Sequence, residues 1–305
     1  FQDWFDGRGQ PPRYLALQTP MQQEVISFII DTQQPLLETT VGADNLLITH
    51  EDFADAAKRL ADWRNEDRRF GDPITTKVVD VQDIYDAFSG GLVDPMAIRS
   101  FVHHAYNHWE PRPSFVTLFG DGTYDYKDNG GTGHPNWIPA YQAGESTFDE
   151  WYVRIEGEDR TPELAIGRLP VTSLDEAHGL VDKIIAYDRL DSPGPWQSRV
   201  LLVADDLVDP SNIHEPETYF LHDAERMPLP ENLDLTKLYI ANFPIQGRIK
   251  PKARDEFIRL FNEGSVLLTY LGHGNPQTLA HEQIFVVSRD LPSIDNSGRL
   301  PFMYT

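Results

Sequence analysis

The tripeptide Gly272-His273-Gly274 follows directly on an apolar run, Ser265-Val-Leu-Leu-Thr-Tyr-Leu271. An imidazole takes up and releases protons near neutral pH, so a histidine at such a place suits general acid–base work. Glycines on both sides let the backbone turn sharply and leave room for a substrate chain. A second string, Asp205-Asp206, follows another apolar run, Val200-Leu-Leu-Val-Ala204. A carboxylate that accepts from one imidazole nitrogen fixes the tautomer and stabilises the imidazolium. Taken alone, His273 fits a loop as well as a site, and Asp205-Asp206 fits a turn or a helix cap.

The nucleophile is missing from the sequence. There is no cysteine, which excludes disulfides, thiolate zinc sites and a thiol nucleophile within these 305 residues. No GxSxG elbow, P-loop or dinucleotide-binding glycine pattern occurs either. Other polar clusters are weaker. The loop with Asp121, Asp125, Asp128 and Asn129 lacks the alternate-ligand spacing and sixth-position glycine of an EF-hand, and reads as a solvated turn. His104 and His108 have i, i+4 spacing but no HExxH frame, so they read as a polar helix face beside His103. His214-Glu215 and His281-Glu282 also lack a second histidine and read as structural.

Two apolar runs without polar alternation are the pattern of parallel strands covered on both faces, and ligands bind beyond the carboxyl ends of such strands. Similar units recur along the chain. Strands are expected at 45–49, 76–81, 114–119, 163–167, 199–204, 235–241 and 265–271. Helices are expected at 52–64, from Asp94-Pro95, after the capping pair Ser173 and Glu176, at 214–226 and at 251–262. This alternation predicts an α/β fold with mostly parallel sheets flanked by helices. Asp191-Ser-Pro-Gly-Pro-Trp196 is the clearest break. The expected division is a lead-in segment (1–41), a first α/β subdomain (42–192) and a second, incomplete one (193–305).

Acidic side chains outnumber basic ones 48 to 26, giving a formal charge of −22. That field repels nucleic acid and anionic lipid, so neither is an expected partner. Solubility, a saline habitat or structural calcium would each account for the acidity. No stretch approaches the ~20 apolar residues of a membrane span.

Several strings, taken in order, resemble the gingipain family of cysteine peptidases from about Gly42 to Thr305. They are Asp83-Ile-Tyr-Asp-Ala-Phe-Ser-Gly-Gly91, Asp94-Pro-Met-Ala-Ile-Arg99, Phe119-Gly-Asp-Gly-Thr-Tyr-Asp-Tyr126 and Ala165-Ile-Gly-Arg-Leu-Pro-Val171 with Glu176-Ala177. Val181-Asp-Lys-Ile-Ile-Ala-Tyr187, Ala204-Asp-Asp206 and Tyr270-Leu-Gly-His-Gly274 complete the set. Within the family, the branch it is similar to is the cell-surface sortase of the bacterial type IX secretion system.

The resemblance implies a caspase-like fold in two subdomains and a Cys–His dyad. His273 takes the place of the family's catalytic histidine. Asp206, or alternatively Asp205, falls where the family carries a supporting acid. The family's cysteine follows a strand of the type Leu-Pro-Phe, which puts it a few residues beyond Thr305. Gly272, Gly274 and Ser211 then border the oxyanion and substrate cleft. Arginine-specific members carry an aspartate three residues before a His-Glu pair. Here Ser211 precedes His214-Glu215, so a demand for arginine is not expected.

The implied chemistry is acyl transfer without a required cofactor. Its substrates would be the C-terminal signal domains of secreted cargo, its acceptor water or a surface lipopolysaccharide amine. Its setting would be secreted, held at the outer membrane beside other secretion components. Two other readings compete: a catalytically inactive scaffold, and a metal-dependent hydrolase built on Asp121, Asp125, His134, Asp205 and Asp206.

Overall fold

A computed structural model describes residues 36–69, 71–157, 159–189, 191, 193–206, 226, 230 and 232–304. Ser211, His214-Glu215, the helix expected at 214–226 except its last residue, and nearly all of the lead-in segment lie outside the described residues.

The first half is a four-stranded parallel sheet. Its strands are β1 (Asn45–Thr49), β2 (Thr76–Asp80), β3 (Phe115–Phe119) and β6 (Ala165–Leu169), in the order β2-β1-β3-β6. Every residue of β1 is buried. Side chains of a strand alternate between faces. Leu46 and Ile48 therefore pack with Ile84, Ile98, Phe101 and Val102, which belong to α2 (Val81–Ser89) and α3 (Pro95–His108). Leu47 faces the other way, onto Ala57 and Leu60 of α1 (Ala54–Glu66) and Ala177 and Val181 of α4 (Leu174–Asp188).

Local chemistry explains the helix starts. Asp94 accepts the Met96 N–H at 2.8 Å with proline at the first helical position, and Ser173 accepts the Glu176 N–H at 3.3 Å. The Glu176 carboxylate reaches one residue further back than a capping box requires, taking the N–H and hydroxyl of Thr172 at 2.9 and 2.7 Å. The strand expected at 163–167 is displaced by two residues, and α2 was not expected. A hairpin of β4 (Gln142–Ala143) and β5 (Ser146–Thr147) lies between β3 and β6.

Arg168 ties down the loops at the carboxyl end of this sheet. Its guanidinium meets Asp149 at 2.7 and 2.8 Å and donates to the carbonyls of Gly120, Ile138 and Pro139. Gly122 lies so close to Ile138 that a Cβ would stand 1.8 Å from the Ile138 carbonyl oxygen. Both residues belong to strings on which the family resemblance rests, and both serve the loop's architecture.

The second half repeats the plan. β7 (Arg199–Ala204), β8 (Asp234–Tyr239), β9 (Leu267–Leu271) and β13 (Phe302–Tyr304) form a parallel sheet in the order β13-β9-β7-β8. Ala253, Phe257 and Leu260 share one face of α5 (Pro251–Glu263) and pack on Leu201, Val203 and Leu268. Removing a buried phenylalanine such as Phe257 costs about 3–5 kcal/mol, so this contact anchors the sheet. Between β9 and β13 the chain forms an antiparallel meander of β10 (Gly274–Asn275), β11 (Thr278–Leu279) and β12 (Phe285–Val286). The short α6 (Val287–Asp290) follows it.

Candidate functional site

The carboxyl ends of β7 and β9 are neighbours, with Ala204 paired to Leu271. The Asp205 N–H donates to the Leu271 carbonyl at 2.9 Å, carrying the ladder one residue past the strand. Its side chain is fully buried and turns onto the loop that leaves β9. Oδ2 accepts the His273 backbone N–H at 2.9 Å and lies 3.1 Å from His273 Nδ1, while Oδ1 accepts the Asp206 N–H at 2.9 Å. An ionised carboxylate only accepts hydrogen bonds, so Nδ1 carries the proton and Nε2 is the basic nitrogen. The ring keeps one-third of its surface in solvent. A buried acid thus orients a half-exposed imidazole.

Gly272 makes this approach possible. A Cβ at 272 would lie 2.2 Å from Asp205 Cβ and 2.9 Å from both Asp205 Oδ2 and the Tyr270 hydroxyl. Tyr270 donates to the His273 carbonyl at 2.6 Å, and that carbonyl also accepts the Ala280 N–H at 2.9 Å. Burial, reinforced by Asp205, pushes the Tyr270 phenol far above its ordinary range, so it stays a donor. Gly274 opens the meander beside an open cleft of about 360 Å³ bordered by His273, Asn275, Thr278, His281 and Gln283.

Asp206 takes a different place from the one expected. It turns away from His273 and pairs with the buried ammonium of Lys250, which also donates to the Ile240 carbonyl at 3.0 Å. Of the two adjacent acids, Asp205 reaches the imidazole and Asp206 is a structural partner of Lys250.

Two residues read as structural from sequence stand in this site. The His281 ring meets that of His273 edge-on, 4.7 Å between centroids. Glu282 is buried on the other side, with its Oε2 lacking a hydrogen-bond partner. Burial pushes its carboxyl above the ordinary range, and the charges of Asp206 and Asp205 push the same way.

Among the described residues, the groups spaced to share an ion are Asp205 with His273 and His281, and Asp205 with Asp206 and Glu282. Asp121, Asp125 and His134 belong to neither, so the five-residue metal centre of the hydrolase reading does not assemble. Asp125 instead accepts the N–H groups of Asn129 and Gly130 at 2.9 and 2.8 Å, which holds its carboxyl below its usual range. On α3, His104 and His108 stack at 4.4 Å.

Two parallel α/β sheets, with an Asp–His couple at the carboxyl end of the second, define the architecture of the chain. Residues 38–305 match peptidase family C25, and the chain belongs to that family. It is 26% identical over 260 residues to gingipain R2 of Porphyromonas gingivalis, covering 85% of this chain and 31% of that protein. The match to gingipain R1 of the same species is also 26% over 260 residues, covering 85% of this chain and 23% of that protein. The chain therefore spans a third or less of the curated relatives it matches. The crystal structure of the Arg-specific cysteine proteinase gingipain R overlays with a TM-score of 0.63 at 24% identity, covering 90% of this chain and 56% of that one. A complex of the RgpB pro- and mature domains of P. gingivalis gives 0.62 at 24% identity, covering 85% and 54%. The chain thus has the gingipain-like fold and a cysteine-peptidase lineage, while none of its 305 residues is a cysteine.

Proposed function

We propose that this chain carries the acid–base half of a C25-type cysteine peptidase. His273 is the proton carrier, Asp205 its orienting carboxylate, and the thiolate comes from outside the 305 residues. The carrying observation is the contact from buried Asp205 Oδ2 to both the backbone N–H and Nδ1 of His273. β13 supports the placement of the thiolate. It runs parallel to β9 with Tyr304 paired to Thr269, and so heads toward the same edge of the sheet as the His273 loop. Neighbouring strands lie ~4.8 Å apart, which brings a side chain leaving that strand within reach of the imidazole.

In the reaction, Nε2 of His273 takes the thiol proton, the thiolate attacks a peptide carbonyl, and the imidazolium protonates the leaving amine. Water or an amine then releases the acyl group. Gly272 lets the His273 loop close onto Asp205, and Gly274 leaves the cleft side of the loop free of a side chain. From the family resemblance we extend the proposal to removal of C-terminal signal domains from secreted cargo and transfer to a surface lipopolysaccharide amine. The chain would then work at the outer membrane beside other secretion components, with the subdomain boundary near residue 193. Among the described residues no helix is long and apolar enough to cross a membrane. The scaffold reading is favoured by one observation, the cysteine-free sequence.

One experiment separates the two. The full-length protein is treated with a thiol-directed peptidyl probe, with and without His273→Ala. Labelling of one cysteine that falls at least about tenfold in the variant supports the peptidase, since acid–base partners contribute on that order or more. A protein that is not labelled, or is labelled equally in both forms, supports the scaffold. Adding an amine during turnover then tests transfer, because an acyl–amine product forms only if the intermediate partitions away from water.

A further inference from the structure

His281 has no role in the reaction above, yet the fold holds it against His273. The residues on either side of the His281-Glu282 pair, Ala280 and Gln283, are not glycines but have φ of +59° and +57°. Such left-handed conformations cost energy in side-chain-bearing residues and persist where the surroundings enforce them. Here they turn Glu282 inward, toward Asp205 and Asp206, and leave His281 outward beside the His273 ring. The Ala280 N–H to His273 carbonyl bond and the pairing of Gly274 with Leu279 fix the two histidines on one meander.

We propose that Asp205, His273 and His281 form a binding site for a borderline divalent cation such as Zn2+, and that filling it arrests the peptidase. The inhibitory part rests on the function proposed above; the binding part does not. One ligand atom from each residue lies within 4.8 Å of the other two. Asp205 Oδ2 and His273 Nδ1 are 3.1 Å apart. Two ligands on a tetrahedral metal with bonds of ~2.0–2.1 Å stand roughly 3.3 Å apart, so a metal could replace the bridging proton with little movement. His281 is exposed and can swing in from the cleft. Two imidazoles and one carboxylate suit zinc, whereas calcium takes six or more oxygens and would find too few here. The formal charge of −22 raises the local cation concentration. Tyr270 and the Ala280 N–H, both bound to the His273 carbonyl, hold the central ligand in place.

The metal would displace the proton that Nδ1 holds toward Asp205 while Nε2 takes up the thiol proton. With Zn2+ on Nδ1, Asp205 no longer stabilises a proton arriving at Nε2, and the imidazolium that the reaction requires is disfavoured.

Calorimetric titration of the 305-residue chain with zinc chloride tests the site. One ion per chain should bind, and His281→Ala and His273→Ala should each weaken it by about tenfold or more, the scale on which even supporting groups affect metal sites. The double variant His104→Ala/His108→Ala, which removes the other close histidine pair, should bind as the parent does. Absence of binding overturns the proposal, as does binding that survives His281→Ala or vanishes with the His104/His108 pair. In the full-length protein, micromolar Zn2+ should block thiol-probe labelling reversibly, with relief by a chelator and lower sensitivity in His281→Ala. Binding at this site without any probe reactivity would retain the metal site and reject the peptidase; probe reactivity without binding would do the reverse.

Discussion

Adding one methyl group at position 272 measures how tightly β9 must approach Asp205. In Gly272→Ala the new Cβ would lie 2.2 Å from Asp205 Cβ, an atom fixed to the backbone and unable to swing aside. Carbon atoms rest at ~3.5–4.0 Å, so the two strand ends must separate by more than 1 Å. The His273 N–H to Oδ2 bond, now 2.9 Å, would then stretch past hydrogen-bonding range. Losing a buried hydrogen bond to a charged group costs about 1.5–3 kcal/mol, and overpacking adds about 1–3 kcal/mol. The expected loss is about 2.5–6 kcal/mol. Gly274→Ala is the matched control, because its Cβ would meet only Thr278 O at 3.4 Å and Leu279 Cδ2 at 3.7 Å. It should lie within about 0.5 kcal/mol of the parent. Urea denaturation followed by far-UV circular dichroism reads both. Equal midpoints for the two variants would show that Asp205 does not lie against residue 272 and would undo the geometry.

Lys250→Met should destabilise the chain by about 3–5 kcal/mol because it strands the buried Asp206 carboxylate. Lys250→Met with Asp206→Leu should recover much of that in the same denaturation assay, and no recovery would mean the pair is not coupled. Asp290 gives a pH test: although burial alone raises its pKa, Arg289, the Val286 N–H and Arg254 hold its carboxyl well below the usual range. A depressed folded pKa stabilises above the unfolded value of ~3.9 and is lost as pH falls below it. The stability gap between the parent and Asp290→Asn should therefore be flat from about pH 5 to 8 and shrink below about pH 4. A gap that widens in acid would contradict the assignment.

How legible each part was in the sequence follows from its physics. β1, β7 and β9 are buried on both faces, so their apolar runs stand out against any neighbour. α2 begins at the residue after β2, with Asp80 ending the strand and capping the helix at once, so no polar gap announces it. Choosing between Asp205 and Asp206 was beyond pattern reading, because the chain leaves the strand at Ala204 and the alternation of faces stops there. His281 was hidden for a related reason. It reaches His273 through a meander of two-residue strands, too short to show a period, and its turns rest on Ala280 and Gln283 where no glycine flags them.

The account depends on a protonated Nδ1 of His273 facing the Asp205 carboxylate. Long-range proton–nitrogen correlation spectra of the 15N-labelled chain, recorded where the imidazole is neutral, read the tautomer directly. The spectra should show His273 as the Nδ1–H form with a bare Nε2, and Asp205→Asn should abolish that preference. A parent His273 carrying its proton on Nε2 would contradict the Asp205–His273 couple and the function built on it.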